Sequence, residues 1–587
     1  MMDFIIPILY LLASVIGIVS RKFSYIMIIL SSVYFIFVGF NFTVLTSYFI
    51  LISSLVWIVV GLYSLSYGNS YGKWLHILIS IDVFGMSLIL LSTNYLWLIT
   101  GWEIMSISSY LIIGINKMIY RPAFVFMVFS EFSTVSIIIS AILTFSISGS
   151  FAIESPVSPL IYLLVSLGAF LKMGMFPFMI AEWLPIAHGS APANASGIFS
   201  ATMTLMGVFL IYKMTLFLRY DIYLQYIGLF FLITGVITLF FGSIYAYISE
   251  NTKMLAGFST IENQGAILMA FGLYLISSNL LIKDFILNVI IIYSLAHSLG
   301  KTGLFLAIGT SGTEEFATLK YNNGKTYNLG LLLITLSLSG LFPTIGGLAT
   351  WMLLESFFMQ AYLGGYIGAV AIIAGSILAI SEGMSSGAMF KIISFFSSKD
   401  KENAHRKRLE SVVIFSLGLS LTLIFIISTL IVHSPFVGGA PPLFIPNGFS
   451  IISRLNSNIF GILTPFYITG LILIITLVVY VSFGNPSGRN VRVWNSGIPI
   501  NERYTSFAYS NNIRLMLKRV LQKGLNESQQ EQYLVPDIFW NKMNEFAISL
   551  RKYSRSFSRH FMNSSILWYM IYMIISFLAI VLLAANI

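Results

Sequence analysis

Apolar runs of about twenty residues, the length a helix needs to cross the hydrocarbon of a bilayer, recur along the whole of this sequence. Inside hydrocarbon every backbone N–H and C=O must be satisfied within the protein, so the runs are read as helices. The expected fold class is an all-α polytopic membrane protein. About sixteen transmembrane helices are expected, near 4–20, 24–40, 45–66, 75–92, 94–115, 122–146, 157–180, 193–218, 224–247, 254–277, 282–310, 327–349, 352–394, 411–434, 458–482 and 564–586. The run at 352–394 is long enough to expect a bend or a partly interfacial stretch. Of the 587 residues 57% are hydrophobic and only 9% charged, which excludes an ordinary globular enzyme. Asp3 comes early, the first run is long and more follow, so that run is expected to be a retained helix and not a signal peptide.

The segment 168–213 breaks the pattern. An apolar helix carrying Lys172 is interrupted at Gly174 and Pro177, and again at Pro185 and Pro192, before a second apolar helix follows. Broken helix at membrane depth is tolerated only where protein or a water-filled cavity surrounds it. A lysine beside such a break suggests a buried proton or ion path. The plainer alternative is a lysine near a span end that snorkels to the interface. Its depth inside the run favours the path.

The sequence has no cysteine, which excludes cysteine-ligated iron–sulfur clusters, disulfides and thiol catalysis on this chain. Six histidines, at 76, 188, 297, 405, 433 and 560, form no metal-spaced pair. No metal, cofactor or redox centre is expected. The net charge of +10 is expected mainly in cytoplasmic loops, where it favours anionic lipid. Nucleic acid explains charge flanking so many spans poorly.

Loop charge also orients the chain. Loops after odd-numbered spans hold Arg21 and Lys22, Lys73, Lys117 and Arg121, Lys253, and then Lys399, Lys401, Arg406, Lys407 and Arg408. Loops after even-numbered spans are poor in charge: 41–44 has none, 147–156 only Glu154 and 435–457 only Arg454. Both termini are therefore expected outside the cell. The segment 483–563, with twelve basic and five acidic residues, is expected to be cytoplasmic. Its stretch 534–560 mixes Phe539, Trp540, Met543, Phe546, Ile548, Leu550 and Phe557 with Lys and Arg. That suits an amphipathic helix at the interface or against a partner; a solvated basic tether is the alternative.

Within the spans the ionisable residues are Asp82, Glu103, Glu131, Lys172, Glu262, Lys301, Glu355 and Glu382. Each costs a few kcal/mol at the bilayer centre, so together they suggest a polar axis through the bundle. Glu103 and Lys172 are expected to lie near each other, because each needs a counter-charge in low dielectric. His297 and Lys301, four apart, share a helix face, as a relay pair or with the histidine serving only in packing. A second break, at Gly340 and Pro343, mirrors the one at Pro177 about five spans away. Two inverted five-helix repeats follow, at 75–218 and 224–394, each with a broken helix. The remaining domains are three N-terminal spans at 1–74, two spans at 395–482, the 483–563 segment and a last span at 564–587.

The motifs GWEIMSISSYL, LKMG…WLPIAHGSAP, ENTKMLAGFSTIENQG, LAHSLGKTGLF and SGLFPTIGG together resemble the antiporter-like subunits shared by respiratory complex I, Mrp-type cation/proton antiporters and membrane-bound nickel–iron hydrogenases. The resemblance covers about 75–394. STIENQG at 259–265, and the tail with WNSG and YTSFAYS down to a final single span, are similar to the large antiporter-like subunit of hydrogenase-4 and formate hydrogenlyase. The resemblance implies a proton axis in which Glu103, Lys172, His297 and Lys301 match. Three positions depart from it. The span-eight lysine falls on Leu205, the distal carboxylate on Thr350, and the span-six histidine on Glu131. Glu355 and Glu382 are the candidates to replace the distal acid, and Glu262 and Glu131 the candidates for another route. Lys213 matches a terminal basic residue.

The implied function is a membrane-arm subunit of an energy-converting redox complex, hydrogenase- or complex I-like. It would move protons or Na⁺ while other membrane subunits and peripheral electron-transfer subunits do the redox chemistry. Two other classes stay open: a structural anchor without conduction, favoured by Leu205 and Thr350, and a stand-alone Mrp-like antiporter.

Overall fold

In the computed structural model of this chain the apolar runs become helices. Described are residues 5–483 apart from 116–119, 155–156, 182, 220, 317–318, 320, 323, 398–401, 404–407, 433–436, 439–449 and 456–457, together with 545, 548–549 and 552–553. The helices before the first repeat are α1 (Ile5–Val19), α2 (Arg21–Gly39) and α3 (Val44–Ser64). Then come α4 (Trp74–Leu91), α5 (Tyr95–Ile113), α6 (Tyr120–Ser148), α7 (Pro159–Met173), α8 (Trp183–Ser190), α9 (Ala193–Ile198) and α10 (Thr204–Leu216). Next are α11 (Tyr223–Ile248), α12 (Thr252–Ile276), α13 (Leu280–Ser311), α14 (Lys325–Leu338), α15 (Ile345–Tyr362) and α16 (Gly365–Phe396). α17 (Arg408–Ile426) and α18 (Pro465–Phe483) follow. Eleven of the described helices are long and apolar enough to cross a membrane, counting Ala193–Leu216 as one. The protein is a mostly helical, multi-pass membrane protein.

Short polar caps make the reversals. Asn94, Ser158 (with Pro159 following), Asn251 and Thr344 each accept a backbone N–H from the first turn of α5, α7, α12 and α15. Packing between spans relies on small residues, which let backbones approach where lipid gives no hydrophobic drive. α11 presents Gly228, Gly235 and Gly242 to Gly265 and Gly272 of α12. A Cβ on Gly235 would sit 2.9 Å from the Gly265 carbonyl oxygen, and one on Gly265 would sit 2.6 Å from the Leu239 nitrogen. The Ala193–Leu216 span is wholly buried at the centre. α9 passes into α10 there through a π-helical turn, Phe199–Met203.

Both expected breaks are present. α7 ends at Gly174, left-handed at φ 71°, and the chain resumes as α8. α14 ends before Gly340, at φ 64°, and resumes as α15. Each break reads Gly-x-Phe-Pro, with cis Phe176–Pro177 in one and cis Phe342–Pro343 in the other.

Three expectations on segments are corrected. The 327–349 and 352–394 runs form three helices, α14, α15 and α16, because Gly364 and Gly365 take positive φ of 74° and 69° and turn the chain. The long run is therefore a hairpin of two helices and not one bent span. The all-α expectation misses an antiparallel hairpin, Ser450–Leu455 with Asn458–Leu463, irregular between Ser453 and Arg454. The span expected at 458–482 consequently begins as strand and becomes helix only at Pro465. A helix cannot start earlier because 458–463 pair their backbone with the neighbouring strand. The tail 483–563, the span 564–587 and their motifs lie almost wholly outside the described residues. Residues 545, 548–549 and 552–553, all helical, belong to a second unit, Leu517–Ile587.

Candidate functional site

The two buried lysines mark two centres. Lys172, 1% exposed on the last turn of α7, donates to Ser106 Oγ of α5 at 2.7 Å and to Ser130 Oγ of α6 at 2.9 Å. Its ammonium lies 5.0 Å from the Phe126 ring centre. No carboxylate reaches it within 4.0 Å; among the described residues the direct ion pair is Lys253–Glu314 at 2.6 Å. Glu103, Asp82 and Glu131 instead lie within electrostatic reach. The expected Glu103–Lys172 neighbourhood is thus one of field and not of contact, and Glu103 Oε1 is buried with no hydrogen-bond partner. Glu131, next to Ser130, sits on the exposed side of α6.

Asp82 joins this centre, although the matched motifs point past it. It is fully buried on α4, and its Oδ1 accepts from Ser108 and Ser109 of α5 at 2.8 and 2.9 Å. The run Ser106-Ile107-Ser108-Ser109 therefore holds the ammonium at one end and a carboxylate at the other. The signal in the sequence was an aspartate deep in an apolar run. The serines carried no such signal, because they are common in membrane helices.

The second centre lies on α13, where Tyr293, His297 and Lys301 follow at steps of four and form one stripe. Lys301 is fully buried and its ammonium has no hydrogen-bond partner among the described residues; Glu262 of α12 is the acid within electrostatic reach. His297 Nε2 faces two groups, Gln264 Nε2 at 3.1 Å and the Ser200 carbonyl at 3.1 Å. A neutral ring serves one of them at a time, accepting from the amide or donating to the carbonyl. Protonation fixes the second choice.

Leu205, 1% exposed on α10, stands where the resemblance placed a lysine. The π turn before it projects hydroxyls past it. Ser200 Oγ lies 2.6 Å from Thr260 Oγ1, and Gln264 donates to Thr204 Oγ1 at 3.0 Å. A ladder of non-titrating polar groups therefore runs alongside the leucine.

Glu382 of α16 borders the second centre at Tyr293. Its Oε1 accepts from Thr350 Oγ1 at 3.4 Å and faces the Tyr293 hydroxyl at 3.2 Å. Thr350 is the position where the resemblance placed a carboxylate, so the structure brings one there from the next helix. Glu355 is elsewhere, with Ser453 of the hairpin donating to it. Asn263 and Gln264 stood in the STIENQG motif without a role in the site, and Tyr293, one turn before His297, was not singled out.

The chain is similar to known proteins over much of its length. Residues 92–378 match the family model described as NADH:quinone oxidoreductase/Mrp antiporter, transmembrane. Hydrogenase-4 component B of Escherichia coli (strain K12) is 29% identical over 341 residues, covering 54% of this chain and 50% of that protein. A putative antiporter subunit mnhA2 of Staphylococcus epidermidis (strain ATCC 12228 / FDA PCI 1200) is 27% identical over 411 residues, covering 64% and 50%. The chain spans about half the length of the curated relatives it matches. In fold it resembles a chain of an archaeal membrane-bound sulfane sulfur reductase, with a TM-score of 0.74 at 16% identity over 98% of this chain and 99% of that one. It also resembles a chain of the Mrp complex from Dietzia sp. DQ12-45-1b, with a TM-score of 0.63 at 15% identity over 94% and 63%. The matched segment makes residues 92–378 an antiporter-like membrane domain, similar to the NADH:quinone oxidoreductase/Mrp antiporter family.

Proposed function

We propose that this chain is a membrane-arm subunit of an energy-converting redox complex and moves protons, or Na⁺, in response to electron transfer in partner subunits. One observation carries the reading. Lys172 and Lys301 are both buried inside the bundle, without direct counter-ions among the described residues, and a polar ladder of Ser200, Thr260, Thr204 and Gln264 runs from His297 to the turn before Leu205. A lysine in low dielectric exchanges its proton when a nearby charge changes, and the acids within reach supply that change. Pairs that form and part along the row pass the change on. Glu103, Asp82, Glu262, His297 and Glu382 complete the row. Glu131 and Glu355 stand at its margin.

The two halves are read as inverted repeats, 75–218 and 224–394. In their support, the broken helix is the fourth of five in each half, and both breaks share the Gly-x-Phe-Pro sequence. The relatives' names, a hydrogenase component and antiporter subunits, support assembly with other membrane subunits. A second reading, an anchor that keeps the fold without conducting, is favoured by one feature. Leu205 cannot bind a proton, and Gln264 and Thr204 beside it do not titrate.

The experiment is proton movement per turnover in inside-out membrane vesicles containing the whole complex. Lys172→Ala and Lys301→Ala are expected to abolish translocation while redox turnover continues. Unchanged translocation in both would establish the anchor.

A further inference from the structure

We infer that the exposed face of α5 and α6 seats a membrane-spanning helix of another subunit, and that this helix carries a lysine or arginine opposite Glu131. The inference rests on the reading of this chain as one subunit among several and locates one contact; it holds whether the chain conducts or only anchors. Glu131 is exposed on α6, eleven residues after Tyr120 and seventeen before Ser148. Those separations are about 16 Å and about 25 Å along the helix axis, so the carboxylate stands at mid-span. A glutamate is too short to reach the headgroups from there, and lipid tails offer it no partner. Among the described spans it is the exposed charged side chain that lies more than two turns from both helix ends. The resemblance places a histidine at this position, so the carboxylate is a feature of this chain.

The sign of the occupant follows from the charges around the face. α5 and α6 pack side by side, with Trp102 Nε1 donating to Ser133 Oγ at 3.0 Å. Their outward stripes run through Thr100, Glu103 and Ile107 on one helix and Phe124, Glu131 and Val135 on the other. Glu103 is partly exposed, and its Oε1 is buried without a hydrogen-bond partner. The face therefore presents two carboxylates and, apart from Arg121 at the end of α6, no basic residue. Behind it one ammonium answers three acids: Asp82, Glu103 and Glu131 all lie within electrostatic reach of Lys172, which is turned inward to Ser106 and Ser130. A cation from outside the chain balances that set. The exposed helices α1 and α18 make the contrast, since neither carries a charged residue and lipid suits both. The chain's own material does not supply the cation. The expected last span, 564–586, contains no Lys, Arg or His. In a second copy Lys172, Lys213, Lys301 and Lys391 are all buried. The occupant is thus a helix of a different chain, and its lysine or arginine gives Glu131 a partner where an unpaired charge is costly.

The test uses the complete complex in its native membrane. Photo-crosslinking from p-benzoylphenylalanine at Val135, one turn from Glu131 and exposed on the same stripe, is expected to join this chain to another membrane subunit. The crosslinked peptide, read by mass spectrometry, is expected to be a span holding Lys or Arg. Glu131→Lys is expected to lower co-purification of that subunit roughly tenfold, and Glu131→Gln to lower it less. Exchanging the identified basic residue for Glu is expected to restore it in the Glu131→Lys background. If Glu131→Lys does not accumulate in the membrane, Glu131→Gln is read by the same measurement. A hydrophobic carbodiimide, which modifies protonated carboxyls that face lipid, is expected to leave Glu131 unmodified; an adduct there shows a lipid-facing acid and overturns the inference. A crosslink confined to this chain, to a second copy or to lipid also overturns it, as does a partner span without a basic residue. Full co-purification in both variants does the same, and loss that the exchange does not restore assigns Glu131 to the folding of α6. In all these cases other membrane subunits are still present and the subunit reading stands. A complex that contains no other membrane subunit ends that reading and the inference with it.

Discussion

Lys172 shows what a single residue discloses before its neighbours are known. Its depth in an apolar run announced a buried charge, and the structure keeps it buried. The partner was not legible, since two serine hydroxyls from α5 and α6 hold the ammonium where a glutamate was expected. A hydrogen bond to a charged group contributes about 1.5–3 kcal/mol, so each serine shapes how readily the lysine gives up its proton. Ser106→Ala and Ser130→Ala are each expected to lower translocation roughly tenfold, with redox turnover retained and Ser→Thr changes milder. Equal rates in all of these variants would leave the serines a packing role. Leu205 makes the opposite case. The sequence singled it out as a missing lysine, but could not show that a π turn would swing Ser200 and Thr204 past it to meet Thr260 and Gln264. Gln264 thereby joins Thr204, at the start of α10, to His297. Gln264→Leu is expected to stop translocation, whereas Leu205→Lys is expected to change it little; the reverse pattern would put the route through the α10 position itself.

At the scale of elements, punctuation was easier to read than partnership. Gly174, Pro177, Gly340 and Pro343 marked both breaks, because glycine and proline act on the backbone locally. The hairpin at Ser450–Leu455 and Asn458–Leu463 was missed because its second strand, Asn-Ile-Phe-Gly-Ile-Leu, is as apolar as the helix that follows. A short apolar run does not reveal its own period. The Gly364–Gly365 turn was absorbed into one long run because apolar residues continue on both sides of it. The α11–α12 contact depends on a feature visible only in pairs, glycines seven apart on α11 facing glycines seven apart on α12. Adding a methyl at Gly265 drives it against the Leu239 backbone nitrogen at 2.6 Å, and backbone cannot step aside. Gly265→Ala is expected to cost about 1–3 kcal/mol and to lower the thermal midpoint of the purified protein. Gly470→Ala on α18, with nothing within 4 Å of the added carbon, is the control expected to leave the midpoint unchanged or raised. Equal midpoints for both would show that the seam tolerates a methyl.

For the molecule as a whole, the loop contacts sort into two sets in the way the charge pattern requires. Arg21 donates to the Leu65 and Tyr67 carbonyls, at 3.1 and 3.0 Å, joining the loops after the first and third helices. Lys391 donates to the Ser249 carbonyl at 2.8 Å, and Lys253 pairs with Glu314 at 2.6 Å, joining later members of that basic set. On the other side Lys213 donates to the Ser92 carbonyl at 2.5 Å, and Asn94 bridges to Ala152. Basic loops thus meet basic loops and charge-poor loops meet charge-poor loops, as expected of helices that cross alternately. The bias of Lys and Arg toward the cytoplasm then decides which set faces inward. On that bias the basic set is expected to face the cytoplasm and the loop at 147–156 the outside, and the 483–563 segment, with its twelve basic residues, is expected on the cytoplasmic side. Because the chain contains no cysteine, each introduced cysteine reports one position without background. Ser528→Cys is expected to react with an impermeant maleimide only in inside-out vesicles or opened cells. Ser150→Cys, in an exposed turn, is expected to react in intact cells. The reverse result at both sites would invert this orientation and place Lys73 and Lys253 outside.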